Sequence, residues 1–301
     1  MTMSPWFPTL AAAALAAALL AAAAPDPRAP SAQPPAAQPE LTTPQEKRIL
    51  QNKTFDDSDQ ARQEILALFK DARVTDVVDA MDAVGLQDMG VMDRSIRPLW
   101  RDAERLTHRF VGFAVTVRYV PVQVRVGQGS FADVAAYEEF KSREYKQSAE
   151  TAWRDLGNRG NAVVVFDADE VGYVGYIGSN NSLSWAAAGF VGVVTDGNAR
   201  DTDEIVLTRR MPVYCRHIGG GVRPGRVWLD SVNVPVNCGG ALVFPGDLIV
   251  ADGDGVVVVP REHAAAVGRY ARAEHQRDER GRLNHYKRLG LPLDPTVAPA
   301  P

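Results

Sequence analysis

NAVVVFDADEVGYVGYIGSNNSLSWAAAGFVGVVTDGNARD, residues 161–201, carries the pattern that decides the fold. Its first segment, NAVVVFDAD, is a continuous apolar run of strand length ending in acids. A run apolar at every position suits a strand covered on both faces, the usual condition of a parallel sheet. The glycine-rich GYVGYIGSNN predicts a turn, SLSWAAAGF a helix of small residues, and GVVTDG a second buried strand. Strand, turn, helix and strand within about forty residues make a βαβ unit, because a parallel pair needs such a crossover. NARDTDEIV then opens the next helix or turn, and Trp185 with the alanines after it reads as helix packing against sheet.

Working outward, QARQEILALFKDA (60–72) has apolar residues at helical spacing. A second helix follows at VTDVVDAMDAVG, with Thr75 or Asp76 as N-cap and Gly85 as its stop. FVGFAVTVRYVPV (110–122) is dense in β-branched and aromatic residues and predicts a strand, and the mostly polar 130–157 predicts a helix. Beyond Met211 several short strands, PVYCRHI, VWLDSVNVPVN and ALVFPGDLIVADGDGVVVVP, are separated by Gly, Pro and Asp turns. Asp252 and Asp254 resemble part of a calcium loop but lack the remaining ligands, so a tight turn is expected there. Residues 261–283 predict a long, charged terminal helix. The class is therefore α/β: a βαβ unit, a β-rich half and a C-terminal helix.

The N-terminal region is of another kind. Residues 9–24, TLAAAALAAALLAAAA, match the apolar core of an export signal, although MTMSPWFP lacks a positive charge. An uncleaved anchor or a start site placed too far upstream are the alternatives. Residues 25–46 are rich in Pro, Ala and Gln and predict an extended linker, with a single folded domain beginning near Lys47. The formal net charge is −4 with no basic block, which argues against a nucleic-acid partner. Cys215 and Cys238 lie in strand-like segments and read as free structural thiols more readily than as a bridge. No CxxC or His pair at zinc spacing occurs. His108, His217, His263, His275 and His285 are scattered without a nucleophile partner, and His217 reads as an exposed loop residue.

Ligands of α/β proteins gather beyond the carboxyl ends of parallel strands. Two such ends are visible. At one, the amides of Gly178, Ser179, Asn180 and Asn181 open a helix and form a nest for a carboxylate, or simply a cap and turn. At the other stands Arg200-Asp201: a planar guanidinium that grips carboxylate or enolate oxygens, beside a hard oxygen ligand for Mg²⁺. Asp203 and Glu204 follow, to hold metal-bound water or to favour the helix start. Taken alone, an Arg-Asp pair is commonly a surface salt bridge.

Context raises the pair. GVVTDGNARDTDEI, MPVY and VNVPVNCGGALVFPGDLIVADGDGVVVVP closely resemble the family containing the 4-hydroxy-4-methyl-2-oxoglutarate aldolases and the regulator-of-ribonuclease-activity proteins. VTDVVDAMD, GFAVTVR and HYKRLGLPLDPTV add to the resemblance, which spans roughly residues 65–296. It implies a compact α/β/β fold related to swivelling domains, assembled as homotrimers or hexamers. It further implies Mg²⁺- or Mn²⁺-dependent cleavage or decarboxylation of a 2-oxo acid to pyruvate. Arg200 would bind the substrate's oxo and carboxylate oxygens, Asp201 would ligate the metal, and the loop ending in Gly178 would present amides to the pyruvate carboxylate.

One position departs from the aldolases. Where their pattern places an acid, about twenty residues before the Arg-Asp pair, this chain has Ser179, followed by Asn180 and Asn181. Asp167, Asp169 and Glu170 at the preceding strand end are the carboxylates that would have to compensate. Two readings follow, a 2-oxo diacid lyase and a non-catalytic binding protein of the same fold. An exported chain would not meet a cytoplasmic ribonuclease. A methyltransferase, a label sometimes attached to this family, is poorly supported by VVVFDADEVG, which imitates an S-adenosylmethionine site badly.

Overall fold

A computed structural model describes residues 51–123, 131–147, 151–168 and 171–297. The expected leader and linker, residues 1–46, and the acids Asp169 and Glu170 lie outside the described residues. Among the described residues no helix is long and apolar enough to cross a membrane.

Helix α1 (Asp59–Leu68) starts at Ser58, whose hydroxyl accepts the Ala61 amide at 3.2 Å. Helix α2 (Val74–Ala83) starts earlier than expected. Its N-cap is Arg73 and not Thr75 or Asp76; Asp76, at the third helical position, accepts the Arg73 amide at 2.9 Å. The acid thus serves the helix start from inside the first turn. A two-residue strand β1 (Arg97–Pro98) precedes the long β2 (Phe110–Pro121).

Within the helix expected over 130–157, the described residues form α3 (Val134–Gln147), α4 (Thr151–Arg154) and a closing 3₁₀ turn over Asp155–Arg159. Two glycines explain the ending. A side chain at Gly157 would meet the Phe190 ring at 2.3 Å, and Gly160 has φ 74°, a conformation that favours glycine. Trp153, fully buried, packs edge-on against Trp185 and Phe190 and fixes this turn to the sheet.

The central stretch forms β3 (Ala162–Asp167), β4 (Gly175–Ile177), α5 (Ser179–Ala187), β5 (Phe190–Ala199), α6 (Thr202–Thr208) and β6 (Val213–Ile218). The rest is β7 (Val227–Val232), β8 (Val236–Cys238), β9 (Ala241–Val243), β10 (Leu248–Asp252), β11 (Gly255–Val259) and α7 (Ala264–Leu289). The main sheet runs β1-β6-β5-β3-β2-β10-β11, with β4 beside β5 and β7 beside β2. Strands β3 and β5 are parallel, as the βαβ reading requires; β2 and β6 extend the parallel set on either side, and β4 is parallel to β5. Arg97 in β1 donates to the Asp254 carbonyl at 2.7 Å, joining the two ends of the sheet.

Both faces of the sheet are covered. Along β3, Val164 and Phe166 enter a core with Trp153 and Trp185, while Val163 and Val165 enter another with β8 and β9. A third core gathers α1, α2 and α7 over β10 and β11. The turn at Asp252 links β10 to β11 as a tight hairpin, in which Asp252 accepts the Asp254 amide at 2.8 Å and the Val74 amide at 2.9 Å. Its carboxylate serves backbone groups, as the turn reading expects.

Candidate functional site

The carboxyl end of β5 is held by side chains that the strand itself supplies. Asn198, 5% exposed, donates to the carbonyls of Gly172 at 2.7 Å and Val174 at 3.1 Å. It thereby fixes the loop entering β4. Arg200 donates its amide to Ile177 at 2.8 Å, so β4 and β5 separate only at this point. The stem of Arg200 lies across Gly175, where a methyl group would come within 2.7 Å of its Cβ. Sequence reasoning passed over both Asn198 and Gly175. A polar residue inside an otherwise apolar strand was the available signal, since a buried amide must find partners.

Asp201 adopts a left-handed backbone, φ 51° and ψ 43°, at the start of α6. Aspartate tolerates this region better than most side chains, but it remains uncommon. The turn sends the carboxylate back toward α5. There Oδ2 accepts the Ser179 amide at 3.2 Å, and Oδ1 accepts from Arg200 Nε at 3.1 Å. Gly178, the N-cap of α5, must be glycine for this approach, because a methyl group there would sit 2.5 Å from Asp201 Oδ2. The residues singled out in sequence are thus brought together. Gly178, Ser179, Arg200 and Asp201 form one cluster, with the Arg200 and Asp201 side chains 29% and 36% exposed.

Asn180 and Asn181 follow in the first turn of α5, and their amides have no acceptor among the described residues. These are the free donors a helix start leaves for an anion. The Ser179 amide, by contrast, is already taken by Asp201. Asp203 and Glu204 occupy the first turn of α6.

The neighbouring strand end has a different character. Asp167, 8% exposed, accepts the Asn237 amide at 3.3 Å and lies 3.6 Å from Arg118 Nε. These two partners are at β8 and on β2. Beside it Asp196 accepts the amides of Ala168 at 2.9 Å and Gly239 at 3.4 Å. Burial pushes the Asp196 carboxyl up to about 6, and the nearby Asp167 charge adds to this. Cys215 and Cys238 are free and buried; burial raises both thiols, Cys215 to about 11, so neither is a ready nucleophile. His217 stands in β6, where the sequence suggested a loop, and its strand neighbour is Asn198.

Among the described residues no group of three or more His, Cys, Asp or Glu side chains could hold a metal ion. The Arg200 cluster offers one half-exposed carboxylate and the neutral oxygens of Ser179 and Asn180. These are hard donors, and Mg²⁺ keeps several waters when bound by one or two carboxylates. The donor set therefore fits a hydrated Mg²⁺ or Mn²⁺ and offers nothing to a thiolate- or imidazole-seeking metal.

A family model described as RraA-like, Aldolase/RraA, matches residues 74–258. A Halalkalibacterium halodurans protein with the provisional name 4-hydroxy-4-methyl-2-oxoglutarate aldolase is 37% identical over 93 residues, 30% of this chain and 42% of that one. The chain covers less than half the length of the curated relatives it matches. Among solved structures, an uncharacterized protein from Pseudomonas syringae pv. tomato is 25% identical with TM-score 0.56, covering 78% of this chain and 98% of that one. RraAS2 of Streptomyces coelicolor, titled an unusual member of the RNase ES inhibitor RraA protein family, shares the fold at TM-score 0.55. It is 21% identical, with 73% of this chain and 98% of that chain covered.

Proposed function

The chain belongs to the RraA-like family, and from that premise we propose that it is a divalent-metal-dependent lyase forming pyruvate from a 2-oxo diacid. One observation carries the reading. Arg200 and Asp201 meet at the end of a parallel strand, beside the unclaimed amides of Asn180 and Asn181. Arg200 grips the oxo and carboxylate oxygens of the substrate through its planar donors. The Asn180 and Asn181 amides receive the remaining carboxylate oxygen at the positive end of α5. Asp201, with Ser179 beside it, would hold Mg²⁺ or Mn²⁺. When bound, the metal supplies Lewis-acid stabilisation of the negative charge that develops on the oxo oxygen.

Ser179 bears on which carbon–carbon bond breaks. In a retro-aldol cleavage the 4-hydroxyl must lose its proton, and a serine in place of an acid is a poor base for it. Decarboxylation of oxaloacetate has no such requirement. The bond to the leaving carboxylate breaks, carbon dioxide departs, and the electron pair forms the pyruvate enolate that Arg200 stabilises before a proton from water arrives. The proposal therefore favours decarboxylation as the principal activity. A non-catalytic role in binding a 2-oxo acid is the second reading, and the same Ser179 supports it. Export and assembly into a homotrimer or hexamer complete the proposal, the first on residues 9–24 and the second on the family resemblance.

The test is pyruvate release from oxaloacetate with and without Mg²⁺, against a metal-only control. We expect metal-dependent release, and a loss of at least about a hundredfold in kcat/KM for Arg200→Ala, the scale of removing one oxyanion donor. Release no faster than the metal alone rejects the lyase reading. A rise in melting temperature with oxalate and Mg²⁺ would then favour the binding protein.

A further inference from the structure

Helix α7 outruns the domain that it packs against. Its buried residues, Ala264, Val267, Gly268 and Ala271, all lie near its start. Asp278, paired with Arg73 at 2.7 Å, is its last polar tie to the domain among the described residues. From Glu279 to Leu289 the helix runs on for about 16 Å. The chain then turns at Gly290, φ 65°, and folds back along the helix. Leu291 donates its amide to Tyr286 at 3.0 Å, the Tyr286 hydroxyl donates to Asp294 at 2.7 Å, and Arg282 donates to the Thr296 carbonyl at 2.9 Å. The helix thus ends in a fixed hook.

Two properties meet at this tip. Leu289, Leu291 and Leu293 are 66%, 47% and 58% exposed, a cluster of large apolar side chains left in water. Around them the charge is of one sign. Between Arg280 and Leu293 stand Arg280, Arg282, Lys287 and Arg288 with no carboxylate, in a chain whose formal net charge is −4. The next acid, Asp294, is engaged by Tyr286 and Thr296. Exposed leucines beside exposed cations suit an anionic membrane, which takes apolar groups at its acyl boundary and basic groups at its phosphates. A nucleic acid would use the cations and leave the leucines in water. Two tips meeting each other would set like charges together. We infer that the tip of α7 docks on an anionic lipid bilayer, with Leu289, Leu291 and Leu293 entering its surface and Arg280, Lys287 and Arg288 on lipid phosphates. Stable attachment takes two signals, and an anchor at residues 9–24, one reading of that apolar run, would be the other.

The test attaches an environment-sensitive dye to Leu291→Cys in the full chain; Cys215 and Cys238 are buried and escape labelling. With vesicles of phosphatidylcholine and phosphatidylglycerol in equal parts, we expect the dye emission to shift to the blue. Pure phosphatidylcholine should need at least about tenfold more lipid for the same response, and so should the labelled chain carrying Lys287→Glu and Arg288→Glu. The same dye on Ala273→Cys, exposed on α7 before the tie at Asp278, should not respond. No shift at Leu291, whether or not the chain binds vesicles through residues 9–24, overturns the inference. Equal response at Ala273, to both lipids, or after the charge reversal overturns it too. A response that needs no lipid and grows with protein concentration would assign the tip to a second copy of the chain instead.

Discussion

At the scale of single residues, Asp196 departs furthest from what its strand would suggest. It is 7% exposed in an apolar segment, and burial lifts its carboxyl from 3.8 to about 6. The proton is thus bound more tightly in the folded chain than in the unfolded one. Its stabilising contribution is complete below the ordinary carboxylate range and is lost as pH rises through 6. The shift corresponds to roughly 3 kcal/mol between about pH 4 and pH 7. Asp196→Asn removes the titration and keeps one acceptor oxygen for the Ala168 amide. The wild type should therefore lose stability relative to this variant as pH rises, visible as a widening gap in urea midpoints. A gap that stays flat from pH 4 to pH 7 would show that Asp196 titrates like an exposed acid. GVVTDG displays this aspartate plainly, yet the letters cannot say whether its carboxylate reaches water. That depends on Gly239, far along the chain, closing over it. Ser179 is the opposite case, legible at once as a missing acid because a family pattern marks the position.

Among elements, the helix starts carry much of the long-range order. Asp76 in α2, 1% exposed, accepts from the Arg73 amide and guanidinium and lies 3.0 Å from His275 Nδ1 in α7. Arg73 also reaches Asp278 of α7 at 2.7 Å. Burial pushes the Asp76 carboxyl up, but the hydrogen bonds from His275 and Arg73 outweigh it and hold it well below the usual carboxylate range. This contribution is present above that range and fades as pH falls. Removing the carboxylate leaves a guanidinium and an imidazole facing a void, so Asp76→Ala should cost about 3–5 kcal/mol at neutral pH. Denaturant unfolding at pH 7 checks it, and a loss under about 1 kcal/mol would mean that water replaces the carboxylate easily. The sequence displayed this acid as a helix-start signal, but its tie to α7 joins segments that no local pattern connects. Strand β4 was hidden for a related reason. Three residues inside GYVGYIG are too few to show a period, and they become a strand only because β5 lies beside them. The 3₁₀ turn that follows α4 likewise depends on Gly157 meeting Phe190, a tertiary contact.

For the whole molecule, the parallel pairing of β3 and β5 followed from runs apolar on both faces, and the hairpin at Asp252 from its turn residues, whereas the parallel placing of β2 and β6 beside them was not legible. Nor was closure of the sheet through Arg97 and Asp254, because β1 is two residues long and leaves no periodic trace. What the closed sheet leaves outside bears on assembly. Tyr173, Leu207 and Ile218 are 70%, 83% and 62% exposed. All three belong to segments that flank Arg200: the loop before β4, helix α6, and the end of β6 beside Ala199. Large apolar side chains gathered around a polar site suggest a surface that is covered in the working protein. If the homotrimer or hexamer proposed above forms there, a charge placed in the contact disrupts it, since a buried carboxylate without a partner is unfavourable. Light scattering coupled to size exclusion should then give three or six times the monomer mass for the wild type. Leu207→Asp and Ile218→Asp should shift it toward monomer while leaving the circular dichroism spectrum unchanged. Because their segments adjoin Arg200, both variants should also lose pyruvate release in parallel with the loss of mass. A wild type that is monomeric at assay concentration, or variants that assemble as it does, would place the contact elsewhere or remove the need for one.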